Sequence, residues 1–122
     1  MAEPTIDWDE WTEQATEWLS SYIQVDTVNP PGNEIIACDF LGNILENEGI
    51  PFKLYDAGDN RVTLVATLEG DGSRGDSLIL LNHTDVVPFE IENWTVDPLG
   101  MRVRMGSGRV TSCCGRGREV ET

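Results

Sequence analysis

The chain carries a single histidine, His83, in the stretch Leu81-Asn82-His83-Thr84-Asp85-Val86-Val87-Pro88. A neutral imidazole is a good ligand for zinc, and a nearby carboxylate can hold the other ring nitrogen so that the ring presents one tautomer. The spacing His-x-Asp therefore offers His83 as a metal ligand and Asp85 as the catalytic-site residue that orients it. Spacing alone is a weak signal, because a lone histidine at the end of a strand is more often structural than liganding. A catalytic zinc usually takes three protein ligands and a water. Cys113 and Cys114 are a remote alternative as further ligands beside His83, but their adjacency matches neither a zinc finger nor a disulfide framework. Cys38 falls within an apolar helical pattern and reads as a small buried hydrophobe.

Two other motifs frame the His-x-Asp stretch. Upstream lies Asn29-Pro30-Pro31-Gly32-Asn33-Glu34, and downstream Trp94-Thr95-Val96-Asp97-Pro98-Leu99. In this order, over about residues 5–100, the chain resembles the zinc-dependent family of acetylornithine deacetylase, succinyl-diaminopimelate desuccinylase, aminoacylase and glutamate carboxypeptidase. The resemblance implies the N-terminal part of a layered α/β/α catalytic domain. It implies hydrolysis of amide bonds in N-acyl amino acids or small peptides, with two zinc ions, or cobalt, in the complete site. It makes His83 a ligand of one zinc and Asp85 the aspartate that orients it. A glutamate further along the family's sequence serves as general base.

The pattern breaks after Leu99. The family continues to Gly-Arg-Gly-x-x-Asp-Met-Lys-Gly, whose aspartate bridges the metals. Here Gly115-Arg116-Gly117 is followed by Arg118 and Glu119, and the aspartate's position is Val120. The family's Glu-Glu pair, later ligands and dimerisation insert have no counterpart in the sequence. The expectation is a truncated hydrolase, inactive alone. The alternative is a non-catalytic remnant or interaction module from a truncated or frameshifted gene.

The elements that must position these residues are partly legible. Asp7 and Glu10 form an Asp-x-x-Glu helix start, with Ile6 and Trp11 spaced as a hydrophobic staple. Trp11, Ala15, Trp18, Leu19 and Tyr22 then recur at helical spacing, which predicts a helix packed against a sheet. The prolines of the Asn29 motif stop that helix. Asn33 is a candidate cap for a second helix with an apolar face of Ile36, Ala37, Phe40, Leu41, Ile44 and Leu45, ended by Gly49. Ile50, Phe52 and Leu54 predict a short strand, and Val62 to Leu68 a second. Leu78-Ile79-Leu80-Leu81 is apolar on both faces and predicts a central strand covered by helices on both sides, with His83 at its end. An α/β domain follows from this order.

Composition bounds the rest. The chain has 122 residues, enough for one domain. Its net charge of −14 repels phosphate backbones and excludes nucleic acid as a natural partner. The family resemblance implies a small-molecule or peptide substrate in the complete enzyme. No apolar run approaches the ~18 residues of a membrane span. The start, Met1-Ala2-Glu3-Pro4, has no basic or apolar leader, so a cytoplasmic location is the expectation. With one lysine, Lys53, against 22 acidic residues, the surface reads as that of a halophilic protein. Residues 1–100 hold 3 basic and 20 acidic side chains, whereas residues 101–122 hold 5 and 2. That change, together with the break in the family resemblance at the same place, predicts a partial catalytic domain over 1–100, as the resemblance implies, and an aberrant, disordered tail over 101–122, best explained by a shifted reading frame.

Overall fold

The structure is a computed structural model that describes residues 5–95 and 97–100, together with the backbone of 103–106 and 109–112. It contains two helices, two two-stranded antiparallel sheets and one short 3-10 turn. The chain divides into two compact units: Asp26–Pro88, and Met1–Val25 with Phe89–Thr122.

The unit Asp26–Pro88 holds helix α2 (Glu34–Asn47) and strands β1 (Phe52–Asp56) and β2 (Val62–Ala66). The strands pair antiparallel, with Leu54 opposite Leu64, and α2 packs on them. Their link is a tight turn in which Arg61 N–H donates to the Gly58 carbonyl at 2.9 Å. Asp59 and Asn60 both adopt positive φ, at 53° and 61°, the pairing of angles that matches a two-residue hairpin to strand twist. Helix α2 ends at Gly49 as expected: Gly49 N–H donates to the Glu46 carbonyl and Ile50 N–H to that of Leu45, with Gly49 at φ 68°. This is the paired-bond closure that leaves a residue left-handed and favours glycine there.

The core is small: Ala37, Cys38 and Val62 are its buried apolar members. Cys38 Sγ donates to the Val62 carbonyl at 3.4 Å, and burial, with the neighbouring Asp39 charge adding, pushes its thiol above the ordinary value. Cys38 is thus the buried hydrophobe its pattern implies. Gly42 lets the Phe52 ring seat on α2, since a Cβ there would lie 2.9 Å from the ring tip. Ile36, assigned to the helix's apolar face, is instead exposed.

One expectation is corrected in the unit Asp26–Pro88. Leu78–Leu81 forms no strand: its side chains are 84, 83, 88 and 92% exposed, and among the described residues none pairs with it. Apolar patterning marks a segment that tolerates burial, but a strand exists only where a neighbour completes its hydrogen-bond ladder. Among the described residues the architecture is mixed α/β, with α2 on a two-stranded sheet.

The second unit holds helix α1 (Trp8–Ile23). Asp7 caps it, its Oδ1 accepting from the N–H groups of Asp9 and Glu10 at 3.1 and 3.2 Å. None of its residues is buried. Trp8, Trp11, Ala15 and Leu19 line an open apolar groove with Thr12 and Thr16. In the same unit the backbone of β3 (Val103–Gly106) and β4 (Arg109–Ser112) pairs antiparallel. The rest of residues 101–122, including Cys113, Cys114 and Val120, lies outside the described residues.

Candidate metal centre

Two loops of the unit Asp26–Pro88 meet at His83. Residues 27–29 run parallel to 84–86, with Val28 bridged to Val86. Val86 N–H donates to the Thr27 carbonyl at 3.1 Å, and Asn29 N–H donates to the Val86 carbonyl at 2.8 Å. Thr27, only 2% exposed, adds a hydroxyl bond to the Thr84 carbonyl at 2.6 Å. The Pro-Pro-Gly turn follows at once, closed by Gly32 N–H to the Val28 carbonyl at 2.9 Å. These bonds, and not the end of a buried strand, place the His-x-Asp segment.

Within this frame His83 Nδ1 lies 2.8 Å from the Asp85 carbonyl oxygen and 3.1 Å from Asp85 Oδ1. Both partners are acceptors, so Nδ1 must donate, and the neutral ring carries its proton there. Nε2 is then left with its lone pair, the form in which imidazole binds a metal. The His83 side chain is 84% exposed and that of Asp85 32%, so the ring stands in solvent on a partly sheltered carboxylate. The other oxygen, Asp85 Oδ2, accepts from Asn29 Nδ2 at 2.8 Å. The Asn29 amide is the leading cause that holds the Asp85 carboxyl below its usual range. Partial burial works against it, and the hydrogen bond and charge of His83 add to the lowering.

The residues fit one ligand of a zinc site. His83 can give Nε2, with Asp85 behind it. Among the described residues no group of three or more histidine, cysteine, aspartate or glutamate side chains is arranged to hold a metal ion. Asn29 was not singled out for chemistry by the sequence. Its motif reads as a turn, and only the parallel pairing brings it to Asp85.

The third motif is structural within its own unit. Trp94 meets Phe89 edge-on, with centroids 6.1 Å apart. Asp97 organises the turn after it: its Oδ1 accepts from Leu99 N–H at 3.0 Å, and its carbonyl from Gly100 N–H at 2.9 Å.

Sequence comparison finds relatives over the stretch that carries the histidine, its carboxylate and the flanking motifs. The chain is 35% identical over 83 residues to acetylornithine deacetylase of Proteus mirabilis, covering 66% of this chain and 20% of that one. It is 31% identical over 77 residues to aminoacylase-1 of Sus scrofa, covering 63% and 19%. It is 30% identical over 97 residues to a protein of Staphylococcus epidermidis named "Probable succinyl-diaminopimelate desuccinylase", covering 77% and 23%. The chain is related over this stretch to the deacylase and desuccinylase family that its motifs resemble. It spans about a fifth of the length of these relatives. No protein-family profile and no solved structure matches it. Among the described residues, no helix is long and apolar enough to cross a membrane.

Proposed function

We propose that this chain is the N-terminal part of the layered α/β/α catalytic domain of a zinc-dependent hydrolase of amide bonds in N-acyl amino acids or small peptides, and that it supplies the first metal ligand. The observation that carries this reading is the geometry of His83: Nδ1 donates to Asp85 and Nε2 is left as a ligand atom. When bound, zinc or cobalt in such a site polarises the amide carbonyl and activates water. The chain's own residues hold the imidazole in the liganding tautomer and balance its charge. A bridging carboxylate and a general base must come from elsewhere in a complete enzyme, so the 122-residue chain alone is inactive on this reading.

Calorimetric zinc titration of a version restored to the full length of the relatives, which completes the ligand set, tests it. His83→Ala should abolish specific binding, and Asp85→Ala should weaken it by ~10- to 100-fold, the usual effect of removing a residue that orients a ligand. Assays of this chain alone with acetylornithine, succinyl-diaminopimelate and N-acyl amino acids, with zinc or cobalt added, should show no turnover. Zinc binding that ignores both substitutions would reject the ligand assignment, and His83-dependent turnover would reject the inactivity. A second reading, a non-catalytic interaction module, draws support from the exposed apolar segment Leu78–Leu81. It gains if zinc binds no more tightly to the native chain than to His83→Ala.

A further inference from the structure

We infer that Asn29 is a positioning residue for the metal ligand: its side-chain amide sets the orientation of the Asp85 carboxylate, and through it the tautomer of His83. The inference rests on the reading of His83 as a ligand and extends it to a residue in a different loop.

A carboxylate on a solvent-facing loop can rotate about its side-chain bonds, and nothing in the His-x-Asp spacing fixes which way its oxygens point. Here the two oxygens have separate tasks. Oδ2 receives the Asn29 amide at 2.8 Å, and Oδ1 faces His83 Nδ1 at 3.1 Å. An amide N–H can only donate and an ionised carboxylate can only accept, so the Asn29 contact has one polarity. Holding Oδ2 leaves Oδ1 directed at the imidazole. Asn29 itself is held by its main chain, whose N–H donates to the Val86 carbonyl at 2.8 Å. The residue before it is bridged to Val86, the residue after Asp85. The amide and the carboxylate are therefore carried on two strands of chain tied together on both sides of the contact. With the His83 side chain 84% exposed, water competes for both ring nitrogens, and the acceptors of Asp85 are what keep the proton on Nδ1. The Asn29 amide also favours the ionised carboxylate that this requires.

Because His83 is the only histidine, its ring nitrogens can be read directly by long-range proton–nitrogen correlation NMR at a pH where the ring is neutral. In the native chain, Nδ1 should resonate as the protonated nitrogen and Nε2 as the unprotonated one. Asn29→Asp keeps the shape but sets a second carboxylate against Asp85, and Asn29→Ala removes the amide while keeping the main-chain bonds. Both should shift the ring toward the Nε2–H form, with the backbone amide signals of residues 27–28 and 84–86 kept. A native chain that is mainly in the Nε2–H form overturns the inference with no variant needed. So does a folded Asn29→Ala chain that keeps the native tautomer. Adding zinc then separates this inference from the metal reading. If Nε2 of the native chain does not respond to zinc while the tautomer depends on Asn29, the positioning stands and the ligand assignment falls. If both hold, Asn29→Ala should also lose zinc affinity by ~10- to 100-fold.

Discussion

Asp85 divides its carboxylate between an amide and an imidazole, and that division has a pH signature. Its folded-state pKa lies below the ordinary aspartate value, first through Asn29, then through the hydrogen bond and charge of His83, against partial burial. A lowered carboxyl pKa contributes stability above its unfolded value, near ~3.9 for aspartate. That contribution is lost as pH falls through the lowered folded value. Carbon-detected NMR titration should therefore place the Asp85 midpoint below the ordinary aspartate value. Asn29→Ala should move it upward. A midpoint that does not move on removal of the amide would mean that the contact contributes nothing in solution.

At the scale of elements, helix α2 is begun by the hairpin turn and not by a side chain of its own. Asn33 precedes it in the left-handed region, φ 55°, and makes no side-chain capping bond. Ile35 N–H instead donates to the Asn60 carbonyl at 3.1 Å, and Arg61 Nε lies 2.9 Å from Glu34 Oε1. Glu34 is buried and, among the described residues, its Oε2 has no hydrogen-bond partner, so Arg61 is the contact that offsets the burial of its side chain. Arg61→Ala should destabilise the unit by about 1–3 kcal/mol, the cost of an unsatisfied buried group. The lower end is favoured because Arg61 is partly exposed and solvent screens the pair. The double variant Arg61→Ala with Glu34→Gln should recover part of the loss. Urea midpoints measure both, and an unchanged midpoint for Arg61→Ala would show that the pair is not formed in solution.

Across the whole molecule, charge and exposed apolar surface oppose each other. Residues 1–100 carry 17 more acidic than basic side chains, while Leu78–Leu81 and the tryptophan face of α1 stand open. Self-repulsion disfavours the compact state at low ionic strength, and salt screens it over a Debye length of ~8 Å near 0.15 M. We propose on this ground a salt-requiring protein. Circular dichroism from low to multimolar potassium chloride should show helical signal rising with salt. Complete folding at low ionic strength, unchanged by salt, would contradict it. Exposed contiguous apolar residues favour association once repulsion is screened, so sedimentation should show larger species at high salt that Leu80→Lys reduces.

The amino-acid sequence by itself determined what local chemistry can determine. Asp7 can cap α1, Gly49 can adopt the positive φ that closes α2, and Cys38 lies one helical step from Ala37 on a buried stripe. Each depends on neighbours a few residues away, and each is found. His83 and Asp85 are two residues apart, so their contact too was readable, and the motifs around them named the family. Tertiary structure alone decided that Asn29 reaches Asp85, that the Asn60 carbonyl starts α2, and that, among the described residues, Leu78–Leu81 has no strand beside it. The first two are contacts across 56 and 25 residues, made by loops whose pairing no short-range pattern encodes. The third turns on a ladder partner. A run of apolar side chains records that a segment can be covered on both faces, but the backbone bonds that make it a strand belong equally to its neighbour.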